Sequence, residues 1–127
     1  MNARVCLVAA ALALTAAVAL GAFGAHALKE RLGPDLASVY QTAVQYHFWH
    51  ALGLLGVGLL MLHWPDAASL AWVANLLLIG IVLFSGSLYL LAVTGARWLG
   101  AVTPVGGVAF IAAWLTLAWI AWRNSGS

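Results

Sequence analysis

Charge is what this sequence has least of. Eight of its 127 residues are formally charged, five basic and three acidic. That 6% share compares with roughly a quarter in an average soluble domain. So few charges cannot cover a surface in water, and a soluble globular fold is excluded. The net charge of +2 is too small to favour nucleic acid as a partner. The one cysteine, Cys6, cannot close an internal disulfide and leaves the redox compartment unread. A phosphate-cradling loop, a dinucleotide fingerprint and a CxxC pair are missing too.

What is present is apolar: 65% of the residues are hydrophobic. The charges fall only between apolar stretches. Arg4 precedes the first stretch, Lys29, Glu30, Arg31 and Asp35 come after it, Asp66 and Arg97 mark the next two gaps, and Arg123 closes the last. The stretches run about Val5 to Ala25, Val44 to Trp64, Ala67 to Val93 and Leu99 to Trp122. Each is long enough to cross a ~30 Å hydrocarbon layer at 1.5 Å per residue. Such a layer gives unpaired backbone groups no water, so the stretches are expected to be helices. The first also resembles a signal peptide, with Ala25-His26-Ala27 as an A-x-A site. Its apolar run exceeds the ~7–15 residues of a signal core, so it is read as a span.

Punctuation between spans supports this division. Gly33-Pro34-Asp35 reads as a stop and a new start, and Thr94-Gly95 as a stop. Pro65-Asp66 reads as the end of the second helix and the cap of the third, and Thr103-Pro104 as the start of the fourth after a lead-in. From Asp35 to Tyr46 the pattern turns amphipathic: Leu36, Val39, Tyr40 and Ala43 share a face, with Gln41, Thr42 and Gln45 elsewhere. This segment is expected to lie in the interface plane, bending from the second helix near Tyr46. The fold class is therefore all-α: one domain over residues 1–127, with four transmembrane helices and a short amphipathic interfacial helix between the first and second. Basic residues divide two against three across the two sides and do not orient the chain. The signal-like first helix favours cytoplasmic termini.

Small residues mark expected helix contacts. Ala9, Ala13, Ala17, Gly21 and Ala25 form a ridge every four residues on the first helix, and Gly24 and Gly86 extend the set. The ridge serves packing within the chain or against a second copy. Trp64, Trp72, Trp119 and Trp122 on one side, and Tyr40, Tyr46, Trp49 and Trp98 on the other, read as aromatic belts. Asn75 reads as an interhelical hydrogen bond.

With four antiparallel crossings, the polar and glycine-rich motifs gather at the end opposite the termini. They are His26, Tyr46, His47 and His50, then Ser85-Gly86-Ser87 and Tyr89, then Thr103, Gly106 and Gly107. Polar groups inside a membrane are costly and often functional. His26, His50, Ser85, Ser87, Tyr89, Thr103, Gly106 and Gly107 are the expected ligand-binding set. Each has a structural alternative: His26 as an interfacial residue, His50 as a bundle hydrogen bond, and the serines as partners of carbonyls one turn back. His47 reads as more exposed than His50. No metal site or cofactor is expected: no carboxylate or thiolate shares the histidines' depth, so a closed zinc site lacks ligands. His26 and His50 could at most flank a haem. Covalent catalysis lacks an embedded acid to orient a serine–histidine pair.

Four motifs carry a resemblance: GAFGAHALK at 21–29, YQTAVQYHFWHALGLL at 40–55, FSGSLYLLAVTG at 84–95 and TPVGG at 103–107. In this order, over nearly the whole chain, they resemble the YgdD-like, transmembrane-protein-256-like family of small inner-membrane proteins, domain of unknown function 423. Gly21, Gly24, His26, His50, Ser85, Gly86, Ser87, Tyr89, Thr103, Pro104, Gly106 and Gly107 stand at matching positions; His47 is outside the pattern. Ala113-Trp114 stands where relatives often have Gly-Trp. The resemblance implies a multi-pass protein of the bacterial inner membrane and no particular reaction. The functional expectation is a non-enzymatic membrane protein. It would bind a lipid, a small ligand or a partner helix at the His26/His50/Ser85 end, with membrane lipids and possible further copies as partners. The alternatives are an oligomeric transporter or channel component and, behind that, a haem- or metal-binding subunit.

Overall fold

The computed structural model describes residues 1–28 and 30–124; Lys29 lies outside the described residues. Among those residues every regular element is helical. Helix α1 (Ala3–Phe23) is prolonged by a π-turn (Gly24–Leu28). Helix α2 spans Pro34–His63. Helices α3 (Leu70–Gly80) and α4 (Gly86–Thr94) form one rod through a second π-turn, Ile81–Ser85. A 3₁₀ segment (Arg97–Ala101) leads into α5 (Thr103–Asn124). Three rods are long and apolar enough to cross a membrane: Ala3–Leu28, Leu70–Thr94 and Arg97–Asn124. The fourth, α2, is longer at 30 residues, but Tyr46, His47, His50 and His63 dilute its apolar half.

Local chemistry sets several boundaries, at Pro34 and Gly95 as the sequence indicates. The Asn2 side chain caps α1 by accepting from the Val5 N–H at 2.9 Å. Pro34 occupies the first turn of α2, where a missing N–H costs nothing. Gly95 ends α4 at φ 73°, a left-handed conformation that favours glycine. Asp66 does not cap the third rod; turns continue to Ser69 and α3 starts at Leu70.

The separate interfacial helix is not observed. Residues 34–63 form one uninterrupted helix, about 45 Å long at 1.5 Å per residue. The reason lies in what its first turns touch. Tyr40 and Ala43 are buried rather than spread along an interface. The Tyr40 hydroxyl donates to the Leu20 carbonyl of α1, and Ser85 donates to the Ala43 carbonyl at 2.8 Å. Tyr40 is thus an interior residue and Tyr46 is half-buried against the core; Trp49, Trp98, Trp72, Trp119 and Trp122 do face outward.

The core is a cluster from all four rods, including Cys6, Ala10, Leu54, Val57, Leu70, Leu77, Phe110 and Ala113. Helix α2 is central: it packs on α1, α3, α4 and both π-turns. Helix α5 packs on the third rod, where a methyl group at Gly80 would overlap the Phe110 ring. Helix α1 packs chiefly on α2. Its ridge, expected to face either a neighbour or another copy, packs on α2 in its middle: a Cβ at Gly21 would lie 3.4 Å from Val44, and Ala17 is fully buried, whereas Ala25 is exposed. Around Gly86 nothing lies within 4 Å of that position. Asn75 is exposed and makes no hydrogen bond to another helix among the described residues, because the 3.6-residue period turns it opposite buried Val73, Ala74 and Leu77.

Candidate functional site

Among the described residues the buried polar side chains are His47, His50, Ser85 and Ser87, and all four lie toward the end opposite the termini. The helical period of α2 brings Tyr40, His47 and His50 to its inner side. The π-turn at 81–85 places Ser85 against α2, fully buried, donating to the Ala43 carbonyl. One residue past Gly86, Ser87 donates to the Phe84 carbonyl at 2.9 Å and lies 2.6 Å from the Thr103 hydroxyl at the start of α5. Gly106 permits this approach, since a Cβ there would overlap the Phe84 backbone. Gly107 sits further off, 3.8 Å from the Phe84 ring by the same measure.

His47 is the residue the sequence placed too far out. It is 5% exposed, with Nδ1 2.9 Å from the Tyr89 hydroxyl of α4. Its inward aim comes from Tyr40, Ala43, His47 and His50 recurring at three- and four-residue steps. The edge of one tyrosine ring meets the other, Tyr40 to Tyr89, at a centroid distance of 5.3 Å. Tyr40, Tyr89 and His47 thereby tie α1, α2 and α4 together.

His50 belongs to a different environment. Its Nδ1–H donates to the Tyr46 carbonyl at 2.7 Å, and its ring stacks on Phe110 with centroids 3.5 Å apart and planes within 11°. Tyr46 stacks parallel to it at 5.8 Å. His26 is exposed on the first π-turn and makes no hydrogen bond or ring contact with His50 or Ser85 among the described residues. The sequence-derived set therefore divides in three. Ser85, Ser87, Tyr89 and Thr103 join His47 and Tyr40 in hydrogen bonds between rods; His50 stacks in an aromatic layer; His26 stands outside. The π-turn explains the position of His26, because its wider ring rotates residues 24–28 relative to the rest of α1.

Each buried side-chain nitrogen and oxygen among the described residues has a hydrogen-bond partner, as a low-dielectric interior requires. No three His, Cys, Asp or Glu side chains gather as metal ligands among those residues. The open feature at this end is a cavity of about 410 Å³ between the first π-turn and the start of α2. Its walls include Gly21, Gly24, Leu28, Leu32, Ala37, Tyr40, Gln41 and Val44. They are mostly apolar, with the Tyr40 ring and the Gln41 amide as polar elements. That volume falls within the ~300–1,000 Å³ range of small-molecule sites.

A family described as "Protein of unknown function (DUF423)" matches residues 20–107, which include the cavity walls and every side chain of the polar cluster. A UPF0382 membrane protein of Bacillus subtilis, YwdK, is 46% identical over 114 residues, covering 90% of this chain and 93% of the relative. A UPF0382 membrane protein of Staphylococcus epidermidis is 46% identical over 90% of this chain and 92% of its own length. The UPF0382 inner membrane protein YgdD of Escherichia coli is 42% identical over 90% of this chain and 86% of its own length. No solved structure matches the chain.

Proposed function

Since the chain belongs to the DUF423 family, a membrane-protein family of unknown function, we propose that it crosses the bacterial inner membrane four times with both termini in the cytoplasm. It acts there without catalysis, holding a lipid acyl chain in the cavity between α1 and α2. The fourth crossing is α2. Flanked by α1 on one side and the third rod on the other, it shares their environment, and His47 and His50 are buried, His47 against Tyr89 of α4.

The observation that carries the reading is the contrast between the cavity and the polar cluster beside it. The hydroxyls and imidazoles are engaged with one another or with carbonyls, so they act as braces between rods. The cavity is left open, with a largely apolar lining, at the level where the candidate span Ala3–Leu28 ends. Molecules reaching that level from the bilayer are lipids. The rest of the interior is apolar, which gives a single chain no polar path for a transported solute.

Lipid retention tests this. The protein is purified through mild detergent from native membranes, and bound lipid is read by native mass spectrometry. Wild type should retain lipid, and Ala37→Trp, which fills the cavity from its α2 wall, should retain much less. Equal retention by the two, or none by wild type, would overturn the reading.

A further inference from the structure

We propose that the seam between α2 and α5 holds a quinol, whose ring hydroxyl donates to Nε2 of His50. The site lies away from the α1–α2 cavity and rests on the reading above only in that α2 crosses the bilayer. The backbones of α2 and α5 pack on other rods rather than closely on each other, and aromatic rings span the space between them. His50 stacks on Phe110. The Trp114 ring stands 5.9 Å from His50 and occupies the place a Cβ at Gly53 would need. Tyr46, parallel to His50, has Trp49 5.1 Å away. Trp49 and Trp114 both keep exposed surface, so the seam has aromatic rims.

His50 has a polar atom to spare. Its Nδ1 lies 2.7 Å from the Tyr46 carbonyl. A carbonyl can only accept, so Nδ1 carries the proton, and in the neutral ring Nε2 is a bare acceptor. His50 is only 6% exposed, yet among the described residues its one hydrogen bond is that of Nδ1. Every sealed side-chain nitrogen among those residues has a partner, so Nε2 is not sealed; it opens to the seam. His47 differs, because its Nδ1 partner is a hydroxyl that can give or take, and either tautomer suits it. An acceptor left without a donor in a low-dielectric surrounding is costly. His50 stands six residues past Val44, about 9 Å along the helix from where the apolar stretch begins. At that depth the donor comes from the bilayer. It must offer an O–H, since the carbonyl of a quinone or an ester would set lone pair against lone pair. It is also flat, since Trp49 and Trp114 offer faces and edges on which a planar ring can lie. A quinol joins both properties to an apolar tail that stays in the lipid.

The test uses the full chain in phosphatidylcholine nanodiscs at pH 8, where an imidazole is neutral, with oxygen removed. The probes are decylhydroquinone and its dimethyl ether, which keeps ring and tail but has no O–H. Affinities are read by equilibrium binding, and the hydrogen bond by the nitrogen NMR resonance of His50 Nε2 in histidine-labelled protein. Wild type should bind the hydroquinone roughly threefold to tenfold more tightly than the ether, the range one net hydrogen bond commands. The Nε2 resonance should move for the hydroquinone alone. His50→Phe should bind the two probes equally. Trp114→Leu should weaken both by roughly twofold to tenfold and keep their ratio. Equal affinities or an unmoved resonance in wild type would overturn the site, as would a preference that survives in His50→Phe or full affinity in Trp114→Leu. A third arm adds dioleoylglycerol, a hydroxyl without a ring; if it moves the resonance as far as the hydroquinone does, the quinol assignment fails. Labelling of single cysteines at Gly33 and Ala68 reads the crossing of α2 separately, so failure of that reading and failure of this site are told apart.

Discussion

Gly106 of α5 lies so close to Phe84 that a methyl group in place of its hydrogen would overlap the Phe84 backbone nitrogen. The obstacle is main chain, which cannot rotate away, and it belongs to the π-turn joining α3 to α4. Gly106→Ala should therefore lower stability in detergent by about 1–3 kcal/mol, the usual cost of overpacking. Gly86→Ala is the matched control, since nothing lies within 4 Å of its new methyl. It should be neutral or should stabilise by up to ~1 kcal/mol through helix propensity. Thermal unfolding of the two variants checks the contrast, and equal effects would refute the close approach.

Gly24 and Tyr40 form a second such pair. A methyl at Gly24 would overlap the Tyr40 ring, displacing the hydroxyl from the Leu20 carbonyl. Tyr40→Phe and Gly24→Ala should each destabilise by about 0.5–2 kcal/mol, and the double variant by less than their sum, because the first change removes what the second disturbs. Additive effects would place the two residues in separate contacts.

The hydroxyl pair Ser87–Thr103, 2.6 Å apart, ties the third rod to the start of α5. A double-mutant cycle with Ser87→Ala and Thr103→Val should give a coupling of about 0.6 kcal/mol, typical of side-chain hydrogen bonds within membranes. Thr103→Ser should restore most of it. A coupling of zero would leave the contact without energetic weight.

The proposed four crossings make a definite labelling pattern. In a Cys6→Ser background, single cysteines at Gly33 and Gly95 should react with an impermeant maleimide added to the outside of intact cells. Cysteines at Ala68 and Asn124 should react only after lysis. If the Gly33 site and the Ala68 site share a side, α2 does not cross.

Helix positions and most helix ends were legible because they depend on neighbouring residues alone: apolar length, Gly95 at a positive φ, Pro34 in a first turn. The two π-turns were not legible. They change the phase of a helix without changing its composition, and no residue pattern marks them. His26, read either as an interfacial residue or as a ligand, is exposed on the first of them. His47 failed for another reason. Its depth depends on how far α2 continues toward its start, and the amphipathic pattern of 35–46 suggested a break where tertiary contacts from Tyr40 and Ser85 hold the helix straight through. The gathering of Ser85, Ser87, Tyr89 and Thr103 at one end was readable from topology, because alternating crossings decide which segment ends become neighbours.

The asymmetry of the four rods bears on biogenesis. Leaving the ribosome first, α1 finds its main support only in α2, the next rod to be made. On the proposed four-crossing topology the two would enter the bilayer as a hairpin or wait for one another. The later rods already have a finished wall to assemble on, so the order of synthesis is also the order in which shape becomes available.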